Sequence, residues 1–274
     1  MFLRLTGATV RAVCVACLIM LPAFLLSGIS QSSMEFTRIL ATIASVFVIY
    51  EYGFSSPSLI EFRSAAPYNR IRFFLLAVLV LAPTFMVGYA VSGVEMNGLI
   101  VAVANNGLGI LDFTYSPFMS VAETISGENE VLQGALSLAI AFNTVVMLAC
   151  VAAFCVAIYA NLWRFGGVDF NMWKNMPTYK SYEEKSLQER LINSAFLSLV
   201  IACLIPLLGP TLAEIIMAYF SENRQLAPLM GIWAIALWSF LQGVFFMRAA
   251  ALAKIAFNHT DEGGLVASLS GKGS

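Results

Sequence analysis

Six long apolar windows, at about 8–29, 35–54, 71–91, 133–163, 190–219 and 226–257, are joined by connections too short to make a globular domain. A helix needs about 20 mostly apolar residues to cross the hydrocarbon core of a bilayer, and each window supplies them. In that solvent every backbone N–H and C=O must be satisfied within the protein, which leaves the helix as the structure for windows of this length. The expected fold is all-α integral membrane: a six-span helical bundle forming a single transmembrane domain over 1–257, followed by a flexible tail at 258–274. The first window, with Arg4 and Arg11 ahead of or within it, reads as an uncleaved span rather than a signal peptide.

Composition supports that reading. Apolar residues make up 59% of the chain and charged residues 11%, against about one quarter charged in soluble domains. Net charge is −1, so there is no basic excess to point to nucleic acid. The five cysteines, Cys14, Cys17, Cys150, Cys155 and Cys203, all fall inside apolar windows, where they behave as small hydrophobes.

The charges orient the bundle. Of the 15 Lys and Arg residues, only Arg38 and Arg224 fall on one side of the proposed alternation, and the rest fall on the other. The stretch from 92 to 132 carries Glu95, Asp112, Glu123, Glu128 and Glu130 and no basic residue. Basic residues are retained on the cytoplasmic face, so the expected topology has both termini cytoplasmic and the 92–132 segment outside. Sharp asymmetry with short loops suits a bacterial inner membrane.

Two windows are irregular. Residues at about 95–113 are apolar but interrupted by Asn105, Asn106, Gly107 and Gly109, which predicts an outer segment that is interfacial or re-entrant. The fifth span carries Pro206 and Gly209-Pro210, leaving open a break after which Thr211–Tyr219 forms a separate outer helix. Prolines also fall in the first and third spans, at Pro22 and Pro83.

Two cytoplasmic connections hold most of the polar residues. The first, between the second and third spans, mixes Glu61, Arg63, Arg70 and Arg72 with Tyr52, Phe54, Phe62 and Tyr68, aromatics of the kind that anchor in the headgroup layer. The second interleaves Trp173 and Lys174 with further aromatics and lysines, and Ser181 with Glu184 forms a capping box that starts a helix running into the fifth span. Glu61, Arg63, Arg70, Arg72, Trp173 and Lys174 are the loop interaction candidates.

Chemistry-bearing patterns are few. The single histidine, His259, rules out bis-histidine haem ligation within the chain and any histidine-rich metal site, and no P-loop, dinucleotide fingerprint or zinc-protease pair is present. No catalytic residue, metal ligand or cofactor is expected. Within the spans, Asn143 and Gln242 are the polar residues nearest mid-depth, and Arg248 lies within about two turns of a boundary, from which it can snorkel. Glu214, just past Gly209-Pro210, is a cation-site candidate if the helix breaks there. Asn143, Gln242, Arg248 and Glu214 are therefore the candidates for transport or partner contact. Small residues four apart mark close helix interfaces: Ala135 with Ala139, Ala149 with Ala153, and Ser239 with Gly243.

These absences favour a non-catalytic accessory, assembly or scaffold subunit of a larger membrane complex, with membrane lipids and other membrane-protein subunits as partners and no nucleic acid. A transporter or channel for a small solute or ion is the alternative, and a membrane enzyme acting on a lipid the second. A polar cavity joining Glu214, Asn143 and Gln242 would mark transport; a convergent polar cluster at the inner leaflet would mark an enzyme; a solid bundle would mark the subunit.

Overall fold

A computed structural model describes residues 2–53, 61–62, 66–94, 98–160, 184–219 and 227–270. Among these all regular structure is helical: α1 (Phe2–Leu25), α2 (Gln31–Gly53), α3 (Ala66–Val91), α4 (Leu99–Leu111), α5 (Pro117–Ser126), α6 (Glu130–Tyr159), α7 (Glu184–Tyr219) and α8 (Ala227–Ser270). Six of them, α1, α2, α3, α6, α7 and α8, are long and apolar enough to cross a membrane. The protein is a polytopic helical membrane protein. Helices overrun the hydropathy windows at several ends, because a formed helix propagates cheaply into flanking polar residues. Thus α7 begins at Glu184, and α8 stays helical through Ser270, beyond the point at 258 where the sequence suggests a flexible tail.

Three helices, α3, α6 and α8, pack mutually and form the centre. They bury 44%, 39% and 39% of their apolar windows, against 28% for α1 and 17% each for α2 and α7. Two flanks lean on this trio. The α1–α2 hairpin attaches through α1 to α3, and α7 packs along α8 and against α5. The buried core is continuous but lobed. One cluster gathers around Phe62, Tyr68, Phe154 and Met247 at the end bearing Arg70 and Arg248, and the other around Leu136, Val87 and Ile232 toward the opposite end; Val146 and Trp233 touch both.

The small-residue pairs divide between inside and outside. Ala135 and Ala139 are buried in the core, and Gly243 lies so close to Met147 that an added Cβ would come within 2.8 Å of its side chain. Ala149 and Ala153, one turn apart on α6, are instead exposed.

The segment between α3 and α6 forms two short helices rather than one. Asn129 caps α6 by accepting from the Leu132 N–H, and Ser116 caps α5 ahead of Pro117, a residue suited to the first helical turn. At 13 residues, α4 is about 20 Å long, too short to cross alone. Its Gly107 abuts the Ala141 carbonyl and Val145, about 16 Å or more along α6 from that helix's start. Phe118 of α5 stacks obliquely on Trp238, with ring centroids 5.4 Å apart. Both short helices therefore reach well into the bundle from the end opposite Arg248.

Candidate functional site

The polar residues of the spans fall into two groups. The first lies at mid-length, where prolines would leave backbone groups unsatisfied. Pro83 has no N–H, so the Leu79 carbonyl one turn earlier loses its helical partner. Asn143 supplies a replacement: its Nδ2 donates to Leu79 O at 3.0 Å, and its side chain is fully buried. The Oδ1 of Asn143 has no partner among the described residues.

A second cross-helix bond reaches α7, at a carbonyl that no proline frees. This helix runs unbroken through Pro206 and Pro210, so the separate outer helix left open by the sequence does not form. Trp238 of α8 donates its indole N–H to Ile205 O at 2.9 Å. Gly209 makes that approach possible, since a Cβ there would lie 2.6 Å from the Trp238 ring. Glu214 consequently sits on a continuous helix with its side chain exposed. It is not beside a broken end that could ligate a cation.

The second group gathers where the α2–α3 connection meets the ends of α3, α6, α7 and α8. Arg248 grips Glu61 in a bidentate pair, Nε to Oε2 at 2.5 Å and Nη2 to Oε1 at 2.9 Å. Its Nη1 donates to the Ser198 hydroxyl at 2.5 Å, and that hydroxyl donates in turn to Ser194 O at 2.7 Å. The two charged side chains are about a quarter exposed, 24% and 25%. One guanidinium thus ties together the connection, α7 and α8.

Local structure delivers Glu61 to that position. The next residue, Phe62, adopts φ +60°, a left-handed conformation rare for a bulky residue. Its ring is 1% exposed and packs on Tyr68, also 1% exposed, at 4.9 Å between centroids; Tyr68 packs edge-on to Phe154 at 5.4 Å. Asn69 Nδ2 donates to Phe62 O at 2.8 Å and holds the turn. Arg72 lies over the Tyr68 ring, 5.4 Å from its centroid. Phe62 and Tyr68 are therefore not headgroup anchors, as the sequence suggests, but buried pins. Tyr52 is half-exposed, its ring 4.9 Å beneath the Arg11 guanidinium.

Of the sequence candidates, the structure brings Glu61 and Arg248 into direct contact and places Arg72 in the same cluster. Arg70 is exposed nearby on the first turns of α3. Asn143, Gln242 and Glu214 do not converge: Asn143 faces α3, Gln242 is half-buried on α8, and Glu214 is exposed on α7, which packs on α5 and α8. Arg63, Trp173 and Lys174 lie outside the described residues. Sequence reasoning missed Ser198 and Asn69, whose roles are hydrogen bonds with no local signature. Among the described residues no cluster of three or more His, Cys, Asp or Glu could hold a metal ion.

The chain matches no known protein family, no curated protein and no solved structure.

The end cluster has the ingredients of a reactive site, but its groups are already engaged. Both carboxylate oxygens of Glu61 accept from Arg248, and the Ser198 hydroxyl both donates and accepts. A general base needs a free lone pair near the proton it removes, and a serine nucleophile needs a base within reach. Here the Ser198 proton is directed to Ser194 O rather than to a base. What the arrangement does accomplish is mechanical: it pins a connection to the ends of the helices around it.

Proposed function

We propose that this polytopic membrane protein is a non-catalytic subunit, an accessory, assembly or scaffold component of a larger membrane complex. One observation supports it above others: three of the polar side chains within the spans, Asn143, Trp238 and Arg248, are engaged in holding helices together. Asn143 goes to Leu79 O, Trp238 to Ile205 O, and Arg248 to Glu61 and Ser198. A transport path needs polar groups facing a cavity. A groove of about 520 Å³ with a mixed polar and apolar lining, between Thr124–Asn129 and Ala227-Pro228, lies at the outer end of α5, α6 and α8 and does not reach Asn143 or Gln242.

On this reading the Arg-bearing end is cytoplasmic, the membrane is a bacterial inner membrane, and the surface around Glu61 and Arg248 is where partner subunits meet the protein. Native mass measurement of the tagged protein, extracted from its own membrane in mild detergent, tests the proposal, with co-purifying chains identified by mass spectrometry. A stoichiometric hetero-complex is expected. A lone chain or a homo-oligomer overturns it.

A second reading, a membrane enzyme acting on a lipid, draws on the same convergence of Glu61, Arg248 and Ser198. It requires the ion pair to open in the presence of substrate. Replacing Ser198 with Ala separates the two, because an enzyme loses turnover whereas a scaffold keeps its partners.

A further inference from the structure

Between α3 and α6, at the Arg-bearing end, lies an open groove of about 360 Å³ lined by Arg70, Ile71, Phe74, Cys150, Ala153 and Phe154. Its lining is almost wholly apolar and it opens sideways, away from the bundle. Phe154 closes the floor, and Ala153, having no bulk, leaves the space that a larger side chain would fill. Arg70 stands at the mouth. It is exposed and has no hydrogen bond, ion pair or ring contact among the described residues. Glu61, a carboxylate at this end of the bundle, is already bound by Arg248.

A cation without a counter-charge among the described residues, at the mouth of a one-turn apolar groove, is complementary to a molecule with an anionic head and a hydrocarbon chain. We infer that the α3–α6 groove is a binding site for an anionic glycerophospholipid, its phosphate on Arg70 and the first part of one acyl chain between Phe74 and Ala153. Position agrees with the chemistry. Arg70 belongs to the first two turns of α3, where a long basic side chain reaches the headgroup layer, and basic pockets between spans at the cytoplasmic side suit anionic headgroups. The groove spans about one helical turn along each wall, from Arg70 to Phe74 and from Cys150 to Phe154. A docked helix would need a matching stripe over several turns, so a chain of methylenes is the better fit. The site does not depend on the protein's being an accessory subunit.

Native mass spectrometry of the full-length, delipidated protein tests the site, titrated with phosphatidylglycerol and with phosphatidylcholine of the same acyl chains. The intact protein should bind phosphatidylglycerol preferentially. Arg70→Gln should weaken phosphatidylglycerol about fivefold, the effect of one basic residue near an anionic surface, and leave phosphatidylcholine unchanged. Ala153→Phe should fill the groove and weaken both lipids. Both positions are exposed, and the elution profile of each variant checks that it is folded. Glycerol phosphate, a headgroup without a chain, should fail to compete; competition at equal concentration would mean that Arg70 binds a free phosphate and that the groove is not a lipid site. Unchanged lipid preference in Arg70→Gln, or unchanged binding in Ala153→Phe, overturns the inference.

Discussion

The middle of the bundle and its Arg-bearing end solve the same problem with different chemistry. At mid-length, neutral N–H donors from Asn143 and Trp238 reach backbone carbonyls of the neighbouring helix, the first of them freed by Pro83, and no charge is used. At the end, a full ion pair joins Arg248 to Glu61 across 187 residues of sequence. The contrast follows from solvation. Far from water an unpaired charge is very costly, whereas an amide or indole satisfies a carbonyl and is itself satisfied. Near the headgroups a quarter-exposed pair keeps part of its hydration, and its strength can anchor a connection that hydrophobic packing alone would hold loosely.

The sharpest way to break this contrast is at the charged end. Glu61→Gln should leave Arg248 half-buried without its counter-charge and destabilise the protein by about 3 kcal/mol, the low end of the range for stranding one member of a buried pair. Arg248→Gln should cost a similar amount. The exchanged double variant, Glu61→Arg with Arg248→Glu, should recover a substantial part of the loss, and size-exclusion after heating in detergent reports the stability of all three. If the single variants unfold at the temperature of the unmodified protein, the pair is a surface contact and the connection is held by Phe62 and Tyr68 alone.

At mid-length the largest effect should come from shape rather than polarity. Gly209→Leu forces a side chain into the Trp238 ring, already 2.6 Å from where a Cβ would stand. Overpacking of this kind costs about 2 kcal/mol, and it should also pull the indole N–H from Ile205 O. Tryptophan fluorescence should shift along with stability. Gly134, where an added Cβ would have no atom within 4 Å, provides the control, and Gly134→Ala should neither lower stability nor shift the fluorescence.

The parts legible in the sequence are those with a local cause. Apolar length alone locates the six spans, and the interruption at Asn105 to Gly109 marks the outer segment as something other than a seventh. Glu61 and Arg248 both stand out, yet as a loop residue and a boundary residue, since nothing in the chain encodes a contact 187 residues apart. Phe62 and Tyr68 mislead for a physical reason. An aromatic beside a membrane window suits the headgroup layer equally well whether it points outward or turns in, and only the positive φ at Phe62 and the Asn69 bond send these two inward. Asn143 is visible as a polar residue at depth. Its target is not, although Pro83 is in view, because pairing them needs the register of α3 against α6. Glu214 is of interest only on the supposition of a broken helix, and Trp238 removes that supposition.

A double-variant cycle sharpens the neutral half of the comparison. Asn143→Leu removes the donor to Leu79 O and should cost about 0.6 kcal/mol, the average for interhelical hydrogen bonds in membrane proteins. Pro83→Ala restores an N–H one turn after Leu79, so the carbonyl no longer depends on Asn143. In the Pro83→Ala background, Asn143→Leu should therefore cost less than it does alone, and this dependence on the proline distinguishes backbone repair from ordinary packing. Equal costs in the two backgrounds would mean that Asn143 serves some other partner, with its unsatisfied Oδ1 the atom to follow.

The smallest expected effect is at Glu214, and it bears on function more than on stability. An exposed carboxylate on an unbroken helix, with no partner among the described residues, should tolerate Glu214→Gln within about 0.5 kcal/mol. It should equally leave the native mass of the extracted assembly unchanged. A cation site would behave otherwise, because neutralising its carboxylate abolishes the charge that binds the ion. If thermal stability of the unmodified protein rises with added monovalent cation and that rise vanishes in Glu214→Gln, the polar groups at mid-length are not the whole account of the membrane interior, and α7 carries a transport role that its packing against Trp238 conceals.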